Sequence, residues 1–111
     1  MRRVRDYVEQ HLGDRINLAA LAEVAGVSLF HFARQFKQSA GMTPHAYLID
    51  CRVRAARRLL ATGEPVADVA VACGFSDQSH LTRIFKAHAG LTPGRFRGAR
   101  NFIQDPPPRP L

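Results

Sequence analysis

A chain of 111 residues fits one compact domain or two very small packed units. Its 46% hydrophobic content allows a modest core, but 16 Lys and Arg against 9 Asp and Glu leave a formal charge of +7 and a pI near 10.7. That balance points to a polyanionic partner, nucleic acid ahead of an anionic membrane surface, and no apolar run of about 18 residues exists to span a membrane.

Val4, Tyr7, Val8, His11 and Leu12 recur at helical spacing, which predicts an amphipathic first helix over 4–12 that ends at Gly13. The opening MRRVRDYVEQ is charged and lacks an apolar signal-peptide segment. A turn over 14–17 follows, and Asn17 is a good N-cap for a second helix, Leu18–Ala25. Its stripe of Leu18, Leu21, Ala22 and Ala25 is narrow and partly small, so another helix can approach closely. Gly26 supplies the backbone freedom of a tight stop. Ser28 is expected to cap a third helix running to about residue 39. There Phe32 and Phe36, four apart, face inward, while Phe30, Arg34 and Lys37 lie on another face. Gly41 stops that helix, and Thr43-Pro44 reads as the N-cap and first-turn proline of the longest helix, Pro44–Ala61. Leu48, Val53, Ala56, Leu59 and Leu60 supply its buried side. Arg52, Arg54, Arg57 and Arg58 crowd the rest, and Gly63 ends it.

Pro65 opens a short fifth helix over 66–73, with Val66, Val69 and Ala70 apolar and Gly74 as its stop. Ser76 or Asp77 caps a sixth, in which Leu81, Ile84 and Phe85 are the apolar positions. Gly90 ends it, and Thr92-Pro93 starts a last short helix over 93–99. Beyond Arg100 the stretch NFIQDPPPRPL holds four prolines in eleven residues, so little fixed structure is expected there. No stretch alternates apolar and polar residues over a strand's length. The prediction is an all-α chain of seven helices.

The chain also repeats itself. Shifted by 49 positions, RQFKQSAGMTP (34–44) lies over RIFKAHAGLTP (83–93), and seven of the eleven residues are identical. Upstream the offset becomes 48, with LAALAEVAGVS (18–28) over VADVAVACGFS (66–76), so one residue has been added between Ser76 and Leu81. One supersecondary unit is used twice. The expected division is a first unit over 1–43 (its two-helix motif about 18–39), a linker helix over 44–62, a second unit over 63–101 (motif about 66–89) and a flexible tail over 102–111.

A short helix, a Gly-containing turn and a second helix with a polar outer face make a helix-turn-helix. The second helix of such a motif lies in the major groove with its N-terminal half against base edges. Those positions hold Ser28, Phe30, His31 and Arg34 in the first copy, and Ser76, Gln78, Ser79, Thr82 and Arg83 in the second. Arg suits a bidentate bond to guanine and Gln one to adenine, and Phe30 and the Thr82 methyl can touch thymine methyls. Lys37 and Lys86, one turn on, reach phosphate rather than bases. Arg52, Arg57 and Arg95 are further candidates for phosphate contact. The connecting helix of about 18 residues is roughly 27 Å long, against about 34 Å per turn of B-DNA. It can hold two readers in successive major-groove segments on one face of the duplex. No acidic residue stands between Asp77 and Asp105, while Arg83, Lys86, Arg95, Arg97 and Arg100 do, so this stretch of the second unit is strongly basic.

AGVS…RQFKQSAGMTPHAYL, then VRAARRLL, then VACGFSDQSHLTRIFKAHAGLTPGRFR, resembles the DNA-binding domain of the AraC/XylS family of bacterial transcription regulators over about residues 4–98. The resemblance implies seven helices in two homeodomain-like units that bind double-stranded promoter DNA and usually activate transcription, partly through contact with RNA polymerase. It implies a cytoplasmic, nucleoid-associated protein with no catalytic residues, and it puts Phe30, Arg34, Gln78, Ser79, Thr82 and Arg83 at DNA-facing positions. Ala33 stands where some relatives have a polar base reader, and His80 and Phe96 stand where the family often has Tyr.

Each signal has a plainer alternative. Arg34 and Arg83 can pair with Glu23 or Asp77, Phe30 can complete the core beside Phe32, and the Arg52–Arg58 cluster can be a solvated face. Cys51 and Cys73, 22 positions apart and outside any CxxC spacing, read as small buried residues in a reducing compartment, with neither a disulfide nor a zinc site expected. The five histidines show no i,i+4 pair, so neither metal nor cofactor is expected. The glycine spacing of GLTPGRFRG reads as a helix junction rather than a phosphate loop. Two other function classes rank behind DNA binding: a basic helical adaptor for RNA or a protein, and then an enzyme, for which no paired carboxylates or Ser/His/Asp set exist. The chain starts almost directly at its first helix, so it reads as a self-contained regulator or as the C-terminal part of a longer one. An effector ligand is expected only in the second case.

Overall fold

The structure, a computed structural model, describes residues 2–104, with side chains described through residue 98. Among the described residues all regular structure is helical. In chain order the helices are α1 (Arg2–Gln10), α2 (Leu18–Ala25), α3 (Leu29–Ala40), α4 (Pro44–Ala61), α5 (Val66–Ala72), α6 (Gln78–Ala89) and α7 (Pro93–Gln104). None of the helices is long and apolar enough to cross a membrane among the described residues. The chain divides into two compact units, one ending at Arg52 and the other beginning at Val53, so the boundary falls inside α4.

In the first unit α1 packs on α2 and α2 on α3. Val4 and Val8 of α1, Leu21 and Ala22 of α2, Phe32 and Phe36 of α3, and Leu48 and Cys51 of α4 form its core. The i,i+4 spacing of both the valine and the phenylalanine pairs puts each pair on one helix face. α1 is displaced from the expected 4–12: it stops at Gln10, and His11 and Leu12 fall in the turn. The His11 ring there stacks on Tyr7 at 4.1 Å, with Nδ1 2.8 Å from the Tyr7 carbonyl. In the second unit α5 packs on α6 and α6 on α7. Its buried residues include Ala56, Leu60, Val69, Ala70, Cys73, Phe75, Leu81 and Phe85.

The repeat in sequence is a repeat of local solutions. α2 ends at Gly26 (φ 75°), with the Val27 N–H donating back to Ala22 O at 3.1 Å. α5 ends the same way, at Gly74 (φ 87°), with the Phe75 N–H donating to Ala70 O at 2.9 Å. Both are left-handed stops that a Cβ would strain. An edge-on aromatic pair closes each unit: Phe36 on Tyr47 at 5.3 Å and Phe85 on Phe96 at 5.4 Å. Such pairs contribute about 0.5–1.5 kcal/mol beyond the area they bury. The Thr43 and Thr92 hydroxyls accept the N–H groups of Ala46 and Arg95, capping α4 and α7 as expected.

Each unit also carries an arginine clasp. Arg52 of α4 donates from Nε to Leu12 O at 3.2 Å and from Nη2 to Asp14 O at 3.0 Å, holding the turn between α1 and α2. Arg97 of α7 donates from Nε and Nη2 to Gly63 O (3.0 and 2.6 Å) and from Nε to Glu64 O at 3.0 Å, holding the turn between α4 and α5. In both cases the helix that follows the two-helix motif ties down the turn that precedes it. A charged donor answering carbonyls that no helix satisfies is worth about 1.5–3 kcal/mol.

α7 corrects the sequence expectation, running past the predicted end at residue 99 to Gln104. Nothing between Ala99 and Gln104 breaks a helix, and the first strong breaker in the sequence is Pro106. The rest of the predicted tail, 105–111, lies outside the described residues.

Candidate nucleic-acid interface

α3 and α6 occupy equivalent places. Phe32 and Phe36 anchor the inner face of α3, and Leu81 and Phe85 that of α6, all essentially inaccessible to water. Those anchors fix which side chains each helix turns outward. Ser28 caps α3, its hydroxyl accepting the His31 N–H at 3.2 Å. Asp77 caps α6, its carboxylate accepting the His80 N–H at 2.7 Å.

The cap of α6 is therefore Asp77 and not Ser76, and the extra residue of the second copy is Ser76 in the turn. Its backbone N–H donates to His80 Nδ1 at 3.2 Å, while the His80 ring meets Phe75 edge-on at 5.4 Å. His80 is half-buried by this arrangement, whereas His31, its counterpart 49 positions earlier, is exposed. The lengthened turn uses the histidine as an internal acceptor.

On the outward face of α3, Ser28, Phe30, His31, Arg34 and Lys37 are all exposed, Phe30 to 71%. Phe30 thus does not complete the core beside Phe32. The Arg34 guanidinium lies over the Phe30 ring, 5.9 Å from its centroid. His31, Arg34, Gln35 and Gln38 line one shallow depression. Gln35 and Gln38 were not singled out from the sequence, although they stand at i+1 and i+4 from Arg34, where a polar stripe continues along the helix. On α6, Ser76, Gln78, Ser79, Arg83 and Lys86 are exposed and Thr82 is half-buried. Gln78, Ser79, Thr82 and Arg83 line a second depression. Neither helix carries an acidic residue.

Of the three arginines expected on phosphate, Arg52 is corrected: it is buried, and its guanidinium is committed to the turn carbonyls described above. Helical spacing shows only that it belongs to a basic cluster, and a contact across some 40 residues leaves no trace in that periodicity. Arg57 is exposed, with its guanidinium 5.7 Å from the centroid of Phe96, and Arg95 is exposed. Cys51 and Cys73 are both buried. Among the described residues no group of three or more His, Cys, Asp or Glu could hold a metal.

The family model for a helix-turn-helix domain matches residues 21–99. The chain is 39% identical over 100 residues to the HTH-type transcriptional activator RhaS of Escherichia coli (strain SE11), covering 88% of this chain and 36% of that protein. It is 37% identical over 95 residues to the probable transcriptional regulator LumQ of Photobacterium leiognathi, covering 85% of this chain and 38% of LumQ. The chain thus spans little more than a third of the length of these curated relatives. Among solved structures, the DNA-binding domain of the global transcriptional factor AdpA, in complex with a target DNA, matches with a TM-score of 0.90 at 31% identity over 96% of both chains. A transcriptional regulator with an AraC-type DNA-binding domain from Chromobacterium violaceum matches with a TM-score of 0.82 at 29% identity over 89% of both. With the seven helices, the doubled motif and these likenesses in agreement, the chain belongs to the AraC/XylS family of transcriptional regulators and carries its AraC-type double helix-turn-helix domain.

Proposed function

We propose that this chain binds double-stranded promoter DNA sequence-specifically, as part of a transcription activator, with α3 and α6 entering successive major-groove segments. The observation that carries the proposal is the pair Arg34 and Arg83: 49 positions apart, both exposed on capped helices whose opposite faces are anchored by large apolar side chains. Arg34 and Arg83 read guanine, Gln78 reads adenine, and Ser28, His31, Ser76, Ser79 and Thr82 line the base edges. Lys37 and Lys86 hold phosphates, with Arg57 and Arg95 as further phosphate contacts. The likeness to the AdpA domain, itself solved on a target DNA, supports this reading. Readers in successive major-groove segments stand about one duplex turn apart. Activation through RNA polymerase, and action in the bacterial cytoplasm and nucleoid, belong to the same proposal and draw on the likeness to the activator RhaS.

The test is binding of the chain to a duplex selected from random sequence, to a scrambled duplex and to RNA of the selected sequence, all at one salt concentration. Strong preference for the selected duplex is expected. Arg83→Ala should cost about 1–3 kcal/mol on that duplex and relax base preference at one position. Lys86→Ala should weaken all duplexes alike and flatten the salt dependence by about one unit. Equal affinity for duplex and RNA would instead favour a basic helical adaptor.

A further inference from the structure

The outward helices differ most at their N-terminal turns. The 49-residue offset sets Leu29 over Gln78, Phe30 over Ser79 and Ala33 over Thr82. In α3 all three residues are apolar and exposed, Leu29 to 49% and Phe30 to 71%. The same scaffold supports a polar version of this face, because α6 carries one. The α3 face is bordered by cations: the Arg34 guanidinium lies over the Phe30 ring and Lys37 is exposed one turn further on. An apolar patch beside cations, on a helix with no acidic residue and in a chain of net charge +7, is matched to an apolar feature of a polyanion. On the major-groove edge of B-DNA the base pairs offer one such feature, the C5-methyl group of thymine.

We infer, resting on the DNA-binding reading above, that the first unit recognises its half-site chiefly by packing thymine methyl groups on Leu29, Phe30 and Ala33. The second unit reads its half-site by hydrogen bonds from Gln78, Ser79 and Arg83. Arg34, held against Phe30, addresses the guanine next to a packed thymine, so the first half-site contains a thymine–guanine step. RNA, which carries uracil, lacks the group this face recognises.

Deoxyuridine in place of thymine removes the methyl and leaves every hydrogen-bonding group in place. The probe is a duplex selected from random sequence by the 111-residue chain, with each thymine replaced singly by deoxyuridine and binding read by fluorescence anisotropy at fixed salt. Each packed methyl should contribute about fourfold in affinity. The sensitive thymines should cluster in one half of the footprint. Their penalty should vanish in Phe30→Ser and shrink in Leu29→Gln, yet remain in Ser79→Ala even as overall affinity falls. Phe30→Ser should keep the helical content and melting temperature of the parent, since the ring is exposed. If the selected duplex binds well but deoxyuridine costs nothing, or its cost survives in both α3 variants, methyl reading is overturned and DNA binding stands. If the chain does not prefer the duplex to RNA, the DNA-binding reading falls and the methyl inference falls with it.

Discussion

In the first unit α3 is capped by Ser28, two residues after Gly26; in the second, Ser76 lengthens the turn, Asp77 takes over the cap, and His80 turns in to accept the Ser76 N–H. Behind these helices the two units repeat one another. Each has a left-handed glycine stop, a threonine-capped following helix, an edge-on aromatic pair and an arginine clasp on the preceding turn. On the outward faces the repeat breaks down: apolar side chains in α3 stand where α6 has polar ones, and Gln35 and Gln38 stand where α6 has Ile84 and Ala87. Residues that build the scaffold recur because both units solve the same packing problem. Residues that face outward diverge, and Arg34/Arg83 and Lys37/Lys86 are the pairs that do not.

The largest effects should come from the shared scaffold. Phe36→Ala and Phe85→Ala each remove a fully buried ring that also packs on the next helix, and each should cost about 3–5 kcal/mol in denaturant unfolding. A loss under 1 kcal/mol at either site would mean the two units are not built alike.

Next come the arginines. Arg52→Ala should cost about 1.5–3 kcal/mol of stability and leave the salt dependence of DNA binding unchanged. Arg57→Ala should do the reverse, costing about 0.5–1 kcal/mol through its ring contact and lowering the salt slope by about one unit. Equilibrium unfolding and binding titrations on the same two variants separate the clasp from the phosphate contact.

The caps sharpen the difference between the turns. Ser28→Ala and Asp77→Ala should each cost about 0.5–2 kcal/mol. The loss should be larger at Asp77, whose charge also meets the positive end of α6. Thermal unfolding of the two variants at neutral pH gives the ranking.

Much of this was legible in the sequence. The caps at Asn17, Ser28, Thr43 and Thr92, the inward Phe32 and Phe36 and the span of α4 follow from spacing and local chemistry within one or two turns. What was not legible depends on contacts between distant residues. Arg52 reads as a member of a basic helix face until the turn it clasps is brought to it across some 40 residues, and the Arg97 clasp likewise spans more than 30. Nor does periodicity register that one added turn residue leaves an N–H needing an acceptor, which His80 supplies. α7 outruns its predicted end because the proline-rich composition beyond Arg100 begins only at Pro106.

Tyr47 marks a smaller contrast with Phe96, its counterpart in the second unit. Burial, reinforced by a hydrogen bond with Cys51, pushes its phenol up from 10.0 to about 12. The folded state therefore favours the neutral phenol. That contribution is complete below pH 10 and is lost as the pH rises from there to about 12. Tyr47→Phe should remove this part of the alkaline loss of stability, seen as a flatter dependence of melting temperature on pH over that window.

On the proposed reading, two matched helices read one duplex together, each through its arginine. Guanine-N7 methylation interference on the selected duplex tests it most directly. Two clusters of sensitive guanines are expected, about 10–10.5 base pairs apart, one lost in Arg34→Ala and the other in Arg83→Ala. A single cluster, or two that survive both substitutions, would contradict it.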